Sequence, residues 1–150
     1  MSLSIKTGDP RNPAVIKLLD QSHSLMNRLF PTDGCHYLKL NELCVPEITF
    51  LIVYDAQQII GCGALLNKTT YGEVKSMFVD PASRGKGAGD LLIKQLVNCA
   101  RDANLSMLRL ETGDKLAAAI KLYEKHNFSR RGPFGAYTSH PDSTFMERPL

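Results

Sequence analysis

The chain has 150 residues, the size of one domain, so a single domain is expected over residues 1–150. Its 43% hydrophobic and 22% charged residues are ordinary globular proportions, which exclude a disordered, collagen-like or coiled-coil chain. A net charge of +3, from 18 Lys and Arg against 15 Asp and Glu, falls short of the balance typical of nucleic-acid readers and mildly favours anionic ligands.

Ser2 to Thr7 alternates polar and apolar residues as a half-buried strand does, and Gly8-Asp9-Pro10 ends it. Asn12 then caps a helix with Pro13 at its first position, and Val15, Leu18, Leu19, Leu25, Met26 and Leu29 keep helical spacing up to Pro31. Thr32 to Pro46 reads as a loop with a short helix around His36 to Leu43. Thr49 to Tyr54 and Ile59 to Asn67 are β-rich runs joined across Asp55-Ala56-Gln57-Gln58, and Tyr71 to Val79 adds a third strand. After Pro81 and a glycine-rich turn, Leu91, Leu92, Gln95, Leu96, Cys99 and Ala100 mark a second long helix. Ser106 to Glu111 predicts a strand, Lys115 to Lys125 a helix, and Phe128 to Arg131 and Thr144 to Glu147 two further strands. The expected fold is α/β: a mixed, mostly antiparallel sheet with a parallel crossover after Val79 and helices on both faces.

Cys35, Cys44, Cys62 and Cys99 form no CxxC pair and read as reduced, mostly buried thiols of a cytoplasmic protein. The start carries no signal-peptide pattern and no run reaches ~18 apolar residues, so no membrane association is expected. The Asn-x-Ser/Thr matches at Asn67, Asn104 and Asn127 read as chance. The histidines, His23 and His126 among them, show no metal-ligand spacing, and no metal is expected.

The stretch Val79-Asp80-Pro81-Ala82-Ser83-Arg84-Gly85-Lys86-Gly87-Ala88-Gly89-Asp90 carries the chemistry. Its alternate glycines permit positive φ and let backbone approach a ligand closely, while the helix starting near Gly87 offers free N–H groups and a positive dipole end. Arg84 and Lys86 add two cations, so the turn suits a pyrophosphate. It matches neither the Walker spacing GxxxxGK[ST] nor the Rossmann spacing GxGxxG, which removes support for nucleotide hydrolysis and dinucleotide redox chemistry.

Arg84-Gly85-Lys86-Gly87-Ala88-Gly89 resembles the Arg/Gln-x-x-Gly-x-Gly/Ala signature of the GCN5-related N-acetyltransferases, or GNAT family. Glu73 to Pro81 is similar to that family's fourth strand, Leu108 to Gly113 to its fifth, and Ala118 to Phe128 to the helix after it. The resemblance implies an acyl-CoA N-acyltransferase fold and an enzyme that moves an acetyl group from acetyl-CoA to a primary amine by direct attack. It implies that Arg84, Gly85, Lys86, Gly87, Ala88 and Gly89 cradle the coenzyme's pyrophosphate, and that Met77, Phe78 and Val79 hold its pantetheine arm where the fourth and fifth strands splay apart.

By the same resemblance Tyr123 donates a proton to the departing coenzyme A thiolate, a role open to a phenol of reference pKa about 10. The acceptor amine, charged at neutral pH, needs a base. Glu73 is the first candidate, although Lys75, two residues on and so on the same strand face, would weaken it by pairing. Glu111, His36 and a water are the alternatives. Arg130 and Arg131 are either contacts for the coenzyme's 3′-phosphate or a solvated pair at a strand end. Phe134-Gly135-Ala136-Tyr137 and His140-Pro141-Asp142 either wall the acceptor pocket or lie at a subunit contact.

A small-molecule amine or amino acid is the expected acceptor, with a protein or peptide amine, or a non-catalytic acyl-CoA-binding module, as competing readings. No nucleic-acid partner is expected. A homodimer is possible on family grounds, with Thr144 to Glu147 pairing across an interface or completing its own sheet.

Overall fold

The computed structural model of the protein describes residues 2–30 and 37–150. Seven strands form one sheet in the order β1-β2-β3-β4-β5-β7-β6, where β1 is Leu3–Thr7, β2 Ile48–Asp55, β3 Gln58–Asn67, β4 Gly72–Val79, β5 Met107–Gly113, β6 Ser129–Arg131 and β7 Ser143–Pro149. Every neighbouring pair is antiparallel except β4 and β5. The parallel step follows from the right-handed crossover expected through a helix, here α2 (Ala88–Asp102). The expected mixed, mostly antiparallel sheet is therefore the observed one. The C-terminal strand completes the chain's own sheet, lying between β5 and β6.

The helix α1 (Pro13–Leu29) starts where the sequence says it should. Asn12 Oδ1 accepts from the Ala14 N–H at 3.0 Å, and Pro13 occupies a position with no N–H to satisfy. Val15, Leu18 and Leu19 are its buried stripe, packed with Phe50, Ile52, Cys62, Ala64 and Phe78 on one face of the sheet. A short 3-10 helix, Leu40–Cys44, adds Leu43 to that cluster, a few residues later than the sequence places a helix. On the opposite face α2 and α3 (Ala117–Lys125) bury Leu92, Ile93, Leu96, Ile120 and Tyr123 against Leu51, Val53, Val74, Leu108 and Leu110. Asn127, at φ +68°, turns the chain out of α3 while Phe128 N–H bonds Tyr123 O at 3.1 Å.

The middle of β4 is irregular, and that irregularity shapes the sheet. Cys62 pairs with Phe78 but Ala64 with Lys75, so Gly63 faces both Ser76 and Met77 and β4 carries a bulge. Ser76 takes φ +56° there, and a Cβ on Gly63 would stand 3.0 Å from Met77 Sδ. A bulge bends its strand. Among the described residues β4 and β5 pair only at Gly72↔Leu108 and Glu73↔Arg109, after which the two strands part.

Not all four cysteines fit the sequence reading. Cys62 is buried and burial pushes its thiol up to about 12, Cys99 is half-buried, and Cys44 is exposed, contrary to the expectation of mostly buried thiols. Cys44 is the last residue of the 3-10 helix Leu40–Cys44. Cys35 lies outside the described residues. No helix among the described residues is long and apolar enough to cross a membrane.

Candidate active site

The open end of the β4–β5 gap leads to the glycine-rich turn. Asp80 caps the single turn Pro81–Ser83, its Oδ1 accepting from the Ala82 N–H at 3.2 Å, and the chain then passes through Gly85 at φ +84° and Gly87 at φ +91° into α2. An L side chain strains both positions, and a Cβ at either would meet nothing within 4 Å, so the backbone there is open to a ligand. The first bond inside α2 runs from Leu91 N–H to Gly87 O at 3.1 Å, which leaves the N–H groups of the preceding turn without intrahelical acceptors. Gly89 has a different task from its neighbours. Its Cβ would lie 2.7 Å from Leu122 Cδ2, so the missing side chain lets α2 approach α3.

The charges around this turn are already partnered in part. Lys86 Nζ lies 3.0 Å from Asp55 Oδ2, tying the turn to the β2–β3 hairpin, and the Arg84 guanidinium lies 5.9 Å from the Phe78 ring centre. Asp90, in the first turn of α2, pairs with Lys125 at 2.9 Å and His126 at 2.7 Å. Hydrogen bonds from Lys125 and then His126 hold its carboxyl below the usual carboxylate range. Ala88 is buried under the turn.

Met77 and Val79 pack toward α2, while Phe78 is buried on the α1 face. Ser76 Oγ, at the bulge, is buried with no hydrogen-bond partner among the described residues. Such an orphaned polar atom is uncommon in folded proteins and marks the parting of the strands as a place a polar ligand could complete.

Tyr123 belongs to the α2–α3 cluster, 6% exposed, with its ring edge-on to Phe128 at 5.6 Å. No described residue hydrogen-bonds its hydroxyl, and burial pushes the phenol well above its ordinary value. It therefore holds its proton at neutral pH, as a donor must.

Because Val74 packs with Tyr123, its neighbours Glu73 and Lys75 point to the other face. Glu73 is 4% exposed there. Lys75 Nζ approaches its Oε2 at 3.3 Å, the pairing anticipated from their spacing, and the Tyr137 hydroxyl donates to the same oxygen at 2.5 Å. Lys75 Nζ also donates to Tyr137 Oη at 2.8 Å. Burial first, and then the Glu73 carboxylate, push the Tyr137 phenol far up. Glu111 shares this face, two residues beyond the Arg109 that pairs with Glu73, and its Oε2 accepts from Ser143 Oγ at 2.8 Å.

Arg131, partly exposed, pairs with Glu147 at 2.5 Å, and Arg109 meets the same carboxylate at 3.2 Å, while its neighbour Arg130 is exposed. Phe134 and Tyr137 form an aromatic cluster with Tyr71 and Phe145, from which the Tyr137 hydroxyl reaches Glu73. His23 stacks on Tyr37 at 3.9 Å, and His36 lies outside the described residues. A groove of about 580 Å³ runs between α1 and the end of β4, with Leu25, Arg28, Phe78 and Pro81 in its walls. The link from Tyr137 to Glu73 was invisible in the sequence, since no local pattern joins residues so far apart.

Residues 46–130 match the acetyltransferase (GNAT) domain family. The IAA acetyltransferase of Azospirillum brasilense is 41% identical over 99% of this chain and 99% of its own. A Klebsiella pneumoniae crystal structure bearing an acyl-CoA N-acyltransferase name superposes with a TM-score of 0.83 at 30% identity, over 99% of this chain and 97% of that one. The PaiA N-acetyltransferase of Thermoplasma acidophilum, solved in complex with coenzyme A, gives a TM-score of 0.79 over 100% of both chains at 16% identity, a likeness of fold alone.

Proposed function

The chain belongs to the GNAT acetyltransferase family, and from that premise we propose that it transfers the acetyl group of acetyl-CoA to the primary amine of a small molecule or amino acid by direct attack. The observation that carries the reading is the gap left where β4 and β5 pair only at their first two positions, opening onto a glycine turn with free N–H groups. A thioester supplies an acyl carbon already activated toward an amine. The N–H groups from Arg84 to Gly89 bind the pyrophosphate, and the unpaired edge of β4 from Met77 to Val79 receives the pantetheine arm.

The two faces of the gap divide the proton work. On the α1 face Glu73 takes a proton from the acceptor ammonium, so that its nitrogen lone pair is free to form the new C–N bond. On the other face Tyr123 gives a proton to the sulfur as the C–S bond breaks. Glu111 lies on the acceptor face and serves to hold a cationic acceptor.

The test is release of free coenzyme A thiol from acetyl-CoA across a panel of amines, amino acids and peptides, with Tyr123→Phe in parallel. Release that depends on a small amine and falls in the variant supports the transferase. Tight acetyl-CoA binding with no release from any acceptor would replace it with a binding module, and preference for peptides would move the substrate class.

A further inference from the structure

The geometry points to Tyr137 as the positioning residue for Glu73: its hydroxyl fixes one carboxylate oxygen and leaves the other to meet the acceptor amine. This rests on the reading of Glu73 as proton acceptor. Tyr137 arrives from the connection between β6 and β7, 64 positions along the chain from Glu73. It donates to Glu73 Oε2 at 2.5 Å and accepts from Lys75 Nζ at 2.8 Å, while Lys75 also reaches Oε2 at 3.3 Å. Both contacts to the carboxylate therefore fall on the same oxygen.

Glu73 Oε1 makes neither contact. The last torsion of a glutamate is broad, and two donors on one oxygen narrow it to a single setting. A buried ion pair also needs its remaining hydrogen-bonding capacity met, which the phenol does by accepting from the ammonium and donating to the carboxylate. The ring of Tyr137 is itself held, 5.1 Å from Phe134 and 5.5 Å from Phe145 between ring centres. The clamp is thus built on packed aromatic rings and not on a free loop.

Tyr137→Phe keeps the ring and removes the hydroxyl. The expected result is a kcat about tenfold lower with the acetyl-CoA dissociation constant, measured by calorimetry, unchanged, because the coenzyme's contacts lie on the other face. In the double variant with Glu73→Gln, kcat should match Glu73→Gln alone to within about twofold, since Tyr137 acts through Glu73. Additive losses in the double variant, or an unchanged kcat in Tyr137→Phe, would overturn the inference. Weakened acetyl-CoA binding with a lowered melting temperature would also overturn it, by marking a merely structural role. Should Tyr137→Phe not fold, Lys75→Met removes the other donor to Oε2, and the inference requires the same split between kcat and coenzyme affinity. If Glu73→Gln itself leaves kcat intact, the base reading falls and takes this inference with it, whereas loss of activity in Glu73→Gln beside a normal Tyr137→Phe sinks the inference alone.

Discussion

Glu73 and Tyr123 stand on opposite faces of the sheet, separated by β4, whose Val74 packs in the same cluster as Tyr123. In the proposed mechanism one side chain thus meets the acceptor and the other the leaving group. Tyr123→Phe should lower kcat by about 10²-fold while leaving acetyl-CoA affinity unchanged. Burial raises the Tyr123 phenol, so its protonated, donating form persists as pH rises. A pH profile of kcat should show no loss traceable to this phenol below about pH 10, and an earlier alkaline fall that vanishes in the variant would contradict the assignment.

Gly87 is at φ +91° with open space where a Cβ would project, so Gly87→Ala adds strain and no clash. The strain costs about 1–2 kcal/mol in the native state. The turn can relieve it only by moving the N–H groups at the start of α2, so the KM for acetyl-CoA should rise about tenfold or more with a smaller change in kcat. Initial-rate kinetics at saturating acceptor would show this.

Asp90 is held below its usual range by Lys125 and His126, in the first turn of α2 where a carboxylate also faces the helix dipole favourably. Because the native value is depressed, the stabilisation is complete above the unfolded value of about 3.9 and is lost as pH falls through the native one. Asp90→Asn should therefore reduce stability at pH 7 by up to about 1 kcal/mol, and the deficit should close toward the acid end of the range. Urea unfolding at several pH values tests both statements.

Gly113, the last residue of β5, lies under the ring of Phe30, whose Cζ would be 2.1 Å from an added Cβ. An aromatic ring anchored just beyond α1 cannot swing aside as an alkyl tip can. Gly113→Ala should cost about 1–3 kcal/mol by overpacking, read as a lowered urea midpoint with an unchanged slope.

Wherever a feature depended on neighbours along the chain, the sequence was enough. Asn12 and Pro13 placed the start of α1 to the residue, and the period of Leu91, Leu92, Leu96 and Ala100 placed α2. Gly85 and Gly87 declared an open turn before a helix, because positive φ is a property of single residues. Even the ion pair of Glu73 with Lys75 could be foreseen, since strand alternation puts residues two apart on one face.

Only the tertiary structure decided what comes from far along the chain. Gly89 shares the turn's pattern yet serves helix packing against Leu122, Lys86 is drawn off toward Asp55, and Arg131 is held by Glu147. Tyr137 reaches Glu73 because β7 inserts between β5 and β6 and brings the preceding connection back over the sheet. Such contacts are set by how strands pair and how buried charges find partners, and those choices depend on the whole chain at once. Periodicity and turn chemistry act over a few residues, so they fix the elements and the glycine turn, while the cluster around Glu73 exists only once the sheet is assembled.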